Sequence, residues 1–306
     1  MIMDDIAFDQ EMDRLCCENL AEEPLAPHTT FKIGGPAHRF VIVKTTSQLA
    51  GVLKELERQG IPRIIIGKGS DLLISDRGFS GAAVCLGGEF QEIALRPDQV
   101  SVRAGAAAPL ASVCAFARDH GLSGLEFAWG IPGSVGGAVY MNAGAYGGEM
   151  KDVIVRTEHW DSQGHPGTYG AAELDFSYRH SRYTESGQVI AFGEFRLIPG
   201  DPREIGAKME ELMARRKEKQ PYDMPSAGSV FKRPKTGYAA ALIDQCGLKG
   251  RSVGGAQVSE KHAGFIVNTG GATCRDVTEL MELVRETVWK QTGVELEPEV
   301  RIIGDR

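Results

Sequence analysis

The stretch from Gly124 to Gly148 sets Gly130, Gly133, Gly136, Gly137, Gly144, Gly147 and Gly148 around a single proline, Pro132, with Glu126 as its only charge. An ordered glycine loses more backbone entropy on folding than any other residue. A chain that gathers so many in one place needs positive φ there, or close approach of its backbone to something else. Exposed N–H groups in glycine-rich turns form concave nests that hold phosphate oxygens without help from lysine or arginine. The competing reading is a buried loop whose glycines serve tight packing alone.

A chain of 306 residues exceeds what one core usually holds, which points to two or three domains. The net charge of -7 argues against nucleic acid as a partner, since binding there needs a basic surface, but it permits a local basic pocket for a small anion. The first residues, Met1 to Ile6, lack a basic region followed by an apolar one, so a cytoplasmic protein without a secretory signal is expected. Ala104 to Ala117, an uncharged stretch, is too short to span a bilayer and contains Pro109. Cys16, Cys17, Cys85, Cys114, Cys246 and Cys274 form no Cys-x-x-Cys, and the seven histidines no His-x-x-x-His. Reduced thiols and no metal are the expectation.

Taken in order, residues 1 to about 24 predict an acidic helix ending at Pro24. An apolar strand, Phe40 to Val43, precedes a helix capped by Thr46 or Ser47, with Leu49, Val52, Leu53 and Leu56 on one face and Gly60 as its stop. Ile64 to Ile66 completes a strand, helix, strand unit and runs into a second glycine loop, Gly67-Lys68-Gly69-Ser70-Asp71-Leu72. That loop is neither a P-loop, which needs Gly-Lys-Ser/Thr in that order, nor a dinucleotide fingerprint, because Leu72 replaces the third glycine. Two phosphate-type loops without either pattern suit an extended ligand carrying a diphosphate between two subdomains. FAD has that shape.

Further on, strands are expected within Val84 to Val102, around Val153 to Trp160 and over Val189 to Leu197, with a helix from Pro109 to His120. A new helix beginning near Asp201 marks a boundary near residue 200. Its end carries Arg215, Arg216, Lys217 and Lys219, which serve either the negative helix pole or a phosphate. A helix over Ala239 to Cys246 and a strand over Ala263 to Asn268 follow. Thr273 and Asp276 then form a capping box for a last helix with Val277, Leu280, Met281, Val284 and Val288 inward.

These motifs together resemble the UDP-N-acetylenolpyruvoylglucosamine reductase (MurB) family, flavoenzymes of bacterial cell-wall precursor synthesis. The resemblance runs nearly end to end. It rests on Thr30-Phe-Lys-Ile-Gly-Gly-Pro-Ala37, Gly67 to Asp76, Gly130-Ile131-Pro132-Gly133-Ser134-Val-Gly136-Gly137 with Asn142-Ala-Gly144, Tyr178-Arg179-His-Ser181, Ala227-Gly-Ser-Val-Phe-Lys232 and Leu296 to Gly304. It implies a mixed α+β fold: an FAD-binding module of two α+β subdomains, residues 1–82 and 83–200, and a C-terminal α+β substrate domain, residues 201–306.

The resemblance also implies a hydride relay, in which NADPH reduces non-covalent FAD and leaves, and UDP-N-acetylglucosamine enolpyruvate then takes its place and becomes UDP-N-acetylmuramate. Ser229 matches the family's proton donor, and Arg179 and Glu299 its two other catalytic positions. Cofactor contacts fall on Gly67, Lys68, Gly69, Ser70, Asp71, Leu72, Gly130, Ile131, Pro132, Gly133, Ser134, Gly136, Gly137, Asn142 and Gly144. Substrate contacts fall on Tyr178, Lys219, Lys232 and His262, in a monomer without a nucleic-acid or membrane partner. Lys68 and Asp71 stand where many relatives have glycine and asparagine, and Asp71 beside a diphosphate requires backbone N–H donors of its own. The short segment after Arg182 resembles the branch without the tyrosine-bearing insertion. An FAD-dependent sugar or alcohol oxidase on the same fold, and a nucleotide-sugar binding protein without redox chemistry, are the alternatives.

Overall fold

The structure, a computed structural model, describes residues 3–304; residues 1, 2, 305 and 306, the ends of the first and last expected domains, lie outside the described residues. Helices form where capping and periodicity agree. Thr45 caps Thr46–Gln59 by accepting from the Gln48 N–H at 3.2 Å, while the Gln48 side chain reaches back to the Thr45 N–H. The cap thus lies one residue before the two expected. Gly60, at φ 63°, ends that helix. Thr273 and Asp276 form the same reciprocal box on Cys274–Thr292, whose Val277, Leu280, Met281, Val284 and Val288 are all buried. Each such side chain contributes on the order of 1.5–3 kcal/mol relative to exposure.

The N-terminal expectation fails in an instructive way. The helix spans only Asp5–Arg14, Cys16 turns to φ 54°, and Glu18–Pro24 is a strand at the edge of a four-stranded sheet. Its residues favour a helix by composition, but pairing with Pro36–Val43 decides the matter. Its charged, exposed face suits an edge that must not pair further. The order continues through Phe79–Leu86 to Arg63–Ile66, so the expected strand, helix, strand unit has a later strand inserted between its two strands.

The chain divides into two compact units, each with a core of its own. The first gathers the segment up to Ala21, Arg39–Lys68 and Gly81–Arg215; the second gathers Glu22–His38, Gly69–Ser80 and the chain from Arg216 onward. Unit one contains a five-stranded antiparallel sheet in the order Pro166–Gly170, Ile154–Trp160, Val189–Arg196, Ser101–Gly105, Ile93–Leu95. In unit two, Ser226–Ser229, Phe265–Asn268, Ala256–Val258 and Ser252–Val253 form an antiparallel sheet, and Leu72–Ile74 pairs in parallel with Arg301–Ile303. Phe31, Ile33 and Leu73 bring early sequence into the core of this later unit. Asp76 caps its long helix from 198 residues away, accepting from the Cys274 and Arg275 N–H groups at 2.7 and 3.0 Å. Among the described residues no helix is long and apolar enough to cross a membrane.

One buried group of unit one makes its stability depend on pH. His159 is 4% exposed and its Nδ1 lies 3.0 Å from the Tyr183 hydroxyl, itself 2.6 Å from Thr157 Oγ1. Burial holds the imidazole below its ordinary 6.5 and pushes the Tyr183 phenol up. Above that pH both folded and unfolded chains carry neutral His159. As pH falls through it, the unfolded chain takes up a proton that the folded chain resists, and stability is lost. Urea denaturation at about pH 7.5 and about pH 5.5 is expected to give a larger drop in midpoint for the native protein than for His159→Gln. Equal drops would sink this assignment.

Candidate active site

The strand Arg63–Ile66 delivers the chain to Gly67, where an added Cβ would lie 2.4 Å from Ser134 Oγ. Within unit one, the start of the first glycine loop therefore touches the residue that opens the helix Val135–Tyr140. Gly69 is glycine by necessity. Its φ is +60°, and a Cβ there would fall 2.3 Å from the His28 carbonyl oxygen. Among the described residues, the backbone N–H groups of Lys68, Gly69 and Ser70 donate to no protein acceptor. The Gly69 carbonyl is held instead, by the Thr30 N–H at 3.2 Å.

The second glycine loop divides between the two readings of its sequence. The Val135 and Gly136 N–H groups donate to Ala108 and Ala106 carbonyls at 3.0 and 2.8 Å, Ile131 donates to Ala128 at 3.0 Å, and a Cβ on Gly136 would strike Ala106. Gly144 is close against Gly148 in the same manner. Gly136 and Gly144 are tightly packed, and the amides of Ile131, Val135 and Gly136 already donate to protein carbonyls. Ser134 is buried, whereas Pro132 and Gly137 remain exposed.

Asn142, expected at the cofactor, has its side-chain amide bonded within the protein. It is 1% exposed, its Nδ2 donates to Glu149 Oε2 at 2.6 Å and to the Ser177 carbonyl at 3.0 Å, and its Oδ1 accepts from the Lys151 N–H at 3.0 Å. Protein groups take both hydrogens and an oxygen lone pair of the amide, so the side chain serves the protein. The segment it holds carries Tyr178 and Arg179. Ser177 and His180 exchange backbone hydrogen bonds at 3.2 Å, placing Tyr178 and Arg179 at the tip of a tight turn. Arg179 has φ 56°, a left-handed conformation that costs a non-glycine residue on the order of 1 kcal/mol. Its guanidinium lies 5.0 Å from the centroid of the half-exposed Tyr178 ring.

In unit two, Ser229 ends the strand Ser226–Ser229, which has a register irregularity between its paired residues Ser226 and Ser229. Its partner there is Phe265, and Gly228 before it adopts φ +77° with open space where a Cβ would stand. Among the described residues the Ser229 hydroxyl makes no hydrogen bond, and the residue is half-buried. The Glu299 N–H donates to the Val230 carbonyl at 2.7 Å, which sets the glutamate's backbone beside the residue that follows Ser229. Two further bonds tie the same unit together. Thr30 Oγ1 donates to the Ser226 carbonyl at 2.7 Å, and the Arg301 N–H donates to the Asp71 carbonyl at 3.0 Å. Thr30 went unassigned in the sequence, although its motif stood out, because its partner lies 196 residues away.

The basic residues expected at the substrate differ in state. Lys219 is exposed at the end of Pro202–Lys219 and makes no ion pair among the described residues. Lys232 is paired with Glu297, with Nζ 2.5 Å from Oε1. His262 is not a cation at neutral pH, since burial lowers its pKa, and its Nδ1 accepts from the Gly264 N–H at 3.2 Å. The proton then sits on Nε2, leaving a neutral donor.

Comparison with known proteins fits this arrangement. A family model described as an FAD binding domain matches residues 37–167, and one for the C-terminal domain of UDP-N-acetylenolpyruvoylglucosamine reductase matches residues 220–303. Fold and site thus define a flavoprotein oxidoreductase, and the second match sets aside a sugar or alcohol oxidase. The chain is 48% identical over 296 residues to the UDP-N-acetylenolpyruvoylglucosamine reductase of Agathobacter rectalis, covering 94% of each chain. It is 45% identical to that of Caldanaerobacter subterraneus subsp. tengcongensis, covering 93% of each. The crystal structure of the Thermus caldophilus enzyme matches with a TM-score of 0.80 at 36% identity, over 94% of this chain and 98% of that one. The chain belongs to the UDP-N-acetylenolpyruvoylglucosamine reductase family.

Proposed function

We propose that this protein reduces UDP-N-acetylglucosamine enolpyruvate to UDP-N-acetylmuramate with NADPH and bound FAD, supplying peptidoglycan precursors as a cytoplasmic monomer. The observation that carries the reading is the stitching of unit two. Thr30 joins the Gly69 loop to the Ser229 strand, Glu299 is bonded beside that strand, and Arg301 returns to Asp71. Segments distant in sequence, each matched to the family's chemistry, are thereby fixed with respect to one another.

The residues fit FAD at the first loop. The N–H groups of Lys68, Gly69 and Ser70 suit diphosphate oxygens, with the Lys68 ammonium adding charge. Of the second loop, Ile131 and Gly136 would contribute shape, their N–H groups being already bonded. When bound, FAD supplies the hydride taken from NADPH. The protein's own part is to hold the substrate and deliver a proton. Arg179 holds the enolpyruvyl carboxylate and offsets the charge that grows on it, an interaction strongest in the transition state. Ser229 Oγ protonates the carbon next to the one that receives hydride, and Glu299 orients that hydroxyl. Lys219 takes the substrate diphosphate. The functional division into 1–82, 83–200 and 201–306 belongs to this proposal.

Anaerobic mixing tests it. NADPH is expected to bleach a yellow protein, and the enolpyruvyl nucleotide sugar to restore the colour. A protein that stays colourless with added FAD, or whose reduced flavin responds to oxygen but not to the sugar nucleotide, overturns the proposal.

A further inference from the structure

We propose that Asn142 is a positioning residue for substrate reduction, fixing the turn that presents Arg179. The proposal rests on the reading of Arg179 as the group that holds the substrate carboxylate. Its basis is geometric and lies wholly within unit one. The Asn142 amide is 1% exposed and joins two segments: Glu149 and Lys151 on one side, and the Ser177 carbonyl on the other. Its orientation has no alternative, because a carboxylate and a carbonyl oxygen require the NH2 end and the Lys151 N–H requires the oxygen. Glu149 is itself fixed by Lys151 Nζ at 2.5 Å, and its backbone N–H by Asp152 Oδ2 at 2.9 Å.

Ser177 opens the turn whose third residue is Arg179, held at φ 56°. A left-handed arginine persists only where its surroundings over-determine it. Asn142 provides one end of that constraint, and Ser181, whose Oγ donates to the Tyr140 carbonyl at 2.8 Å, provides the other. Both anchors come from the same short segment, Tyr140 to Asn142. Without the bond to Ser177, the turn is free to relax and the guanidinium moves from its place.

Asn142→Asp keeps the shape and tolerates φ 43°, but sets an acceptor against Glu149 and the Ser177 carbonyl. Reoxidation of the NADPH-reduced enzyme by the sugar nucleotide is expected to slow by about 10-fold or more, the scale of a displaced catalytic group. FAD content and the rate of reduction by NADPH should stay near native values. Asn142→Asp with Glu149→Gln restores the bond between these two residues with reversed polarity, yet leaves Ser177 unheld. Its thermal midpoint should recover while its reoxidation stays slow. On an Arg179→Ala background, Asn142→Asp should cost no more than about two-fold further, as expected when two residues act through one interaction. If Asn142→Asp does not fold, Asn142→Gly, unstrained at that φ, carries the same measurements.

FAD loss in proportion to activity would return Asn142 to the cofactor and overturn the proposal. So would reoxidation that recovers together with stability in the double variant, or a full independent loss on the Arg179→Ala background. Native reoxidation by Arg179→Ala itself overturns the underlying reading of the arginine, which is a separate result.

Discussion

Ser229→Ala is expected to leave flavin reduction by NADPH unchanged and to slow reoxidation by the enolpyruvyl nucleotide sugar by about 10²-fold or more, as for loss of a general acid. The asymmetry follows from where the proton is needed. Hydride arrives at one carbon of the enolpyruvyl group, and the neighbouring carbon becomes basic enough for a hydroxyl to protonate it. NADPH oxidation has no such step. The fold should barely register the change. The hydroxyl makes no hydrogen bond among the described residues, so its removal leaves no buried partner behind and should shift stability by less than about 0.5 kcal/mol. Rapid mixing of each half-reaction alone provides the measurement. Equal slowing of both half-reactions would falsify the role given to Ser229.

Local rules made the capped helices legible. Thr273 with Asp276 and the apolar stripe of Cys274–Thr292 needed nothing beyond neighbouring residues, and the structure agrees. Glu18–Pro24 was illegible for the opposite reason, since its strand exists through pairing with Pro36–Val43 while its composition favours a helix. The glycine-rich stretch could be seen but not apportioned. Whether Gly136 faces a ligand or Ala106 depends on a residue 30 positions earlier, which no local pattern encodes. Charge state was hidden in the same way. Lys232 is paired with Glu297, and burial with a backbone contact keeps His262 neutral, neither of which the sequence displays. Thr30 and Asp76, which tie early sequence to the last third of the chain, had conspicuous motifs around them and no visible partner.

Arg179→Ala is expected to reduce kcat/KM for the sugar nucleotide by about 10²–10³-fold, the scale of removing one donor from a developing anion. Arg179→Lys should recover little, since a single ammonium cannot reproduce the planar fork that grips a carboxylate through two N–H groups. The sharper test is Arg179→Gly. Arginine at φ 56° stores strain that glycine does not feel, so the glycine variant should be as inactive as Arg179→Ala and more stable than it by on the order of 1 kcal/mol. Stability then changes between the two variants while activity does not, as expected where a strained backbone is kept for what its side chain does. Chemical denaturation of the two variants, set beside their single-turnover reoxidation rates, decides the matter. If glycine adds no stability, the turn is not strained; if alanine reoxidises at the native rate, the carboxylate is held by some other group.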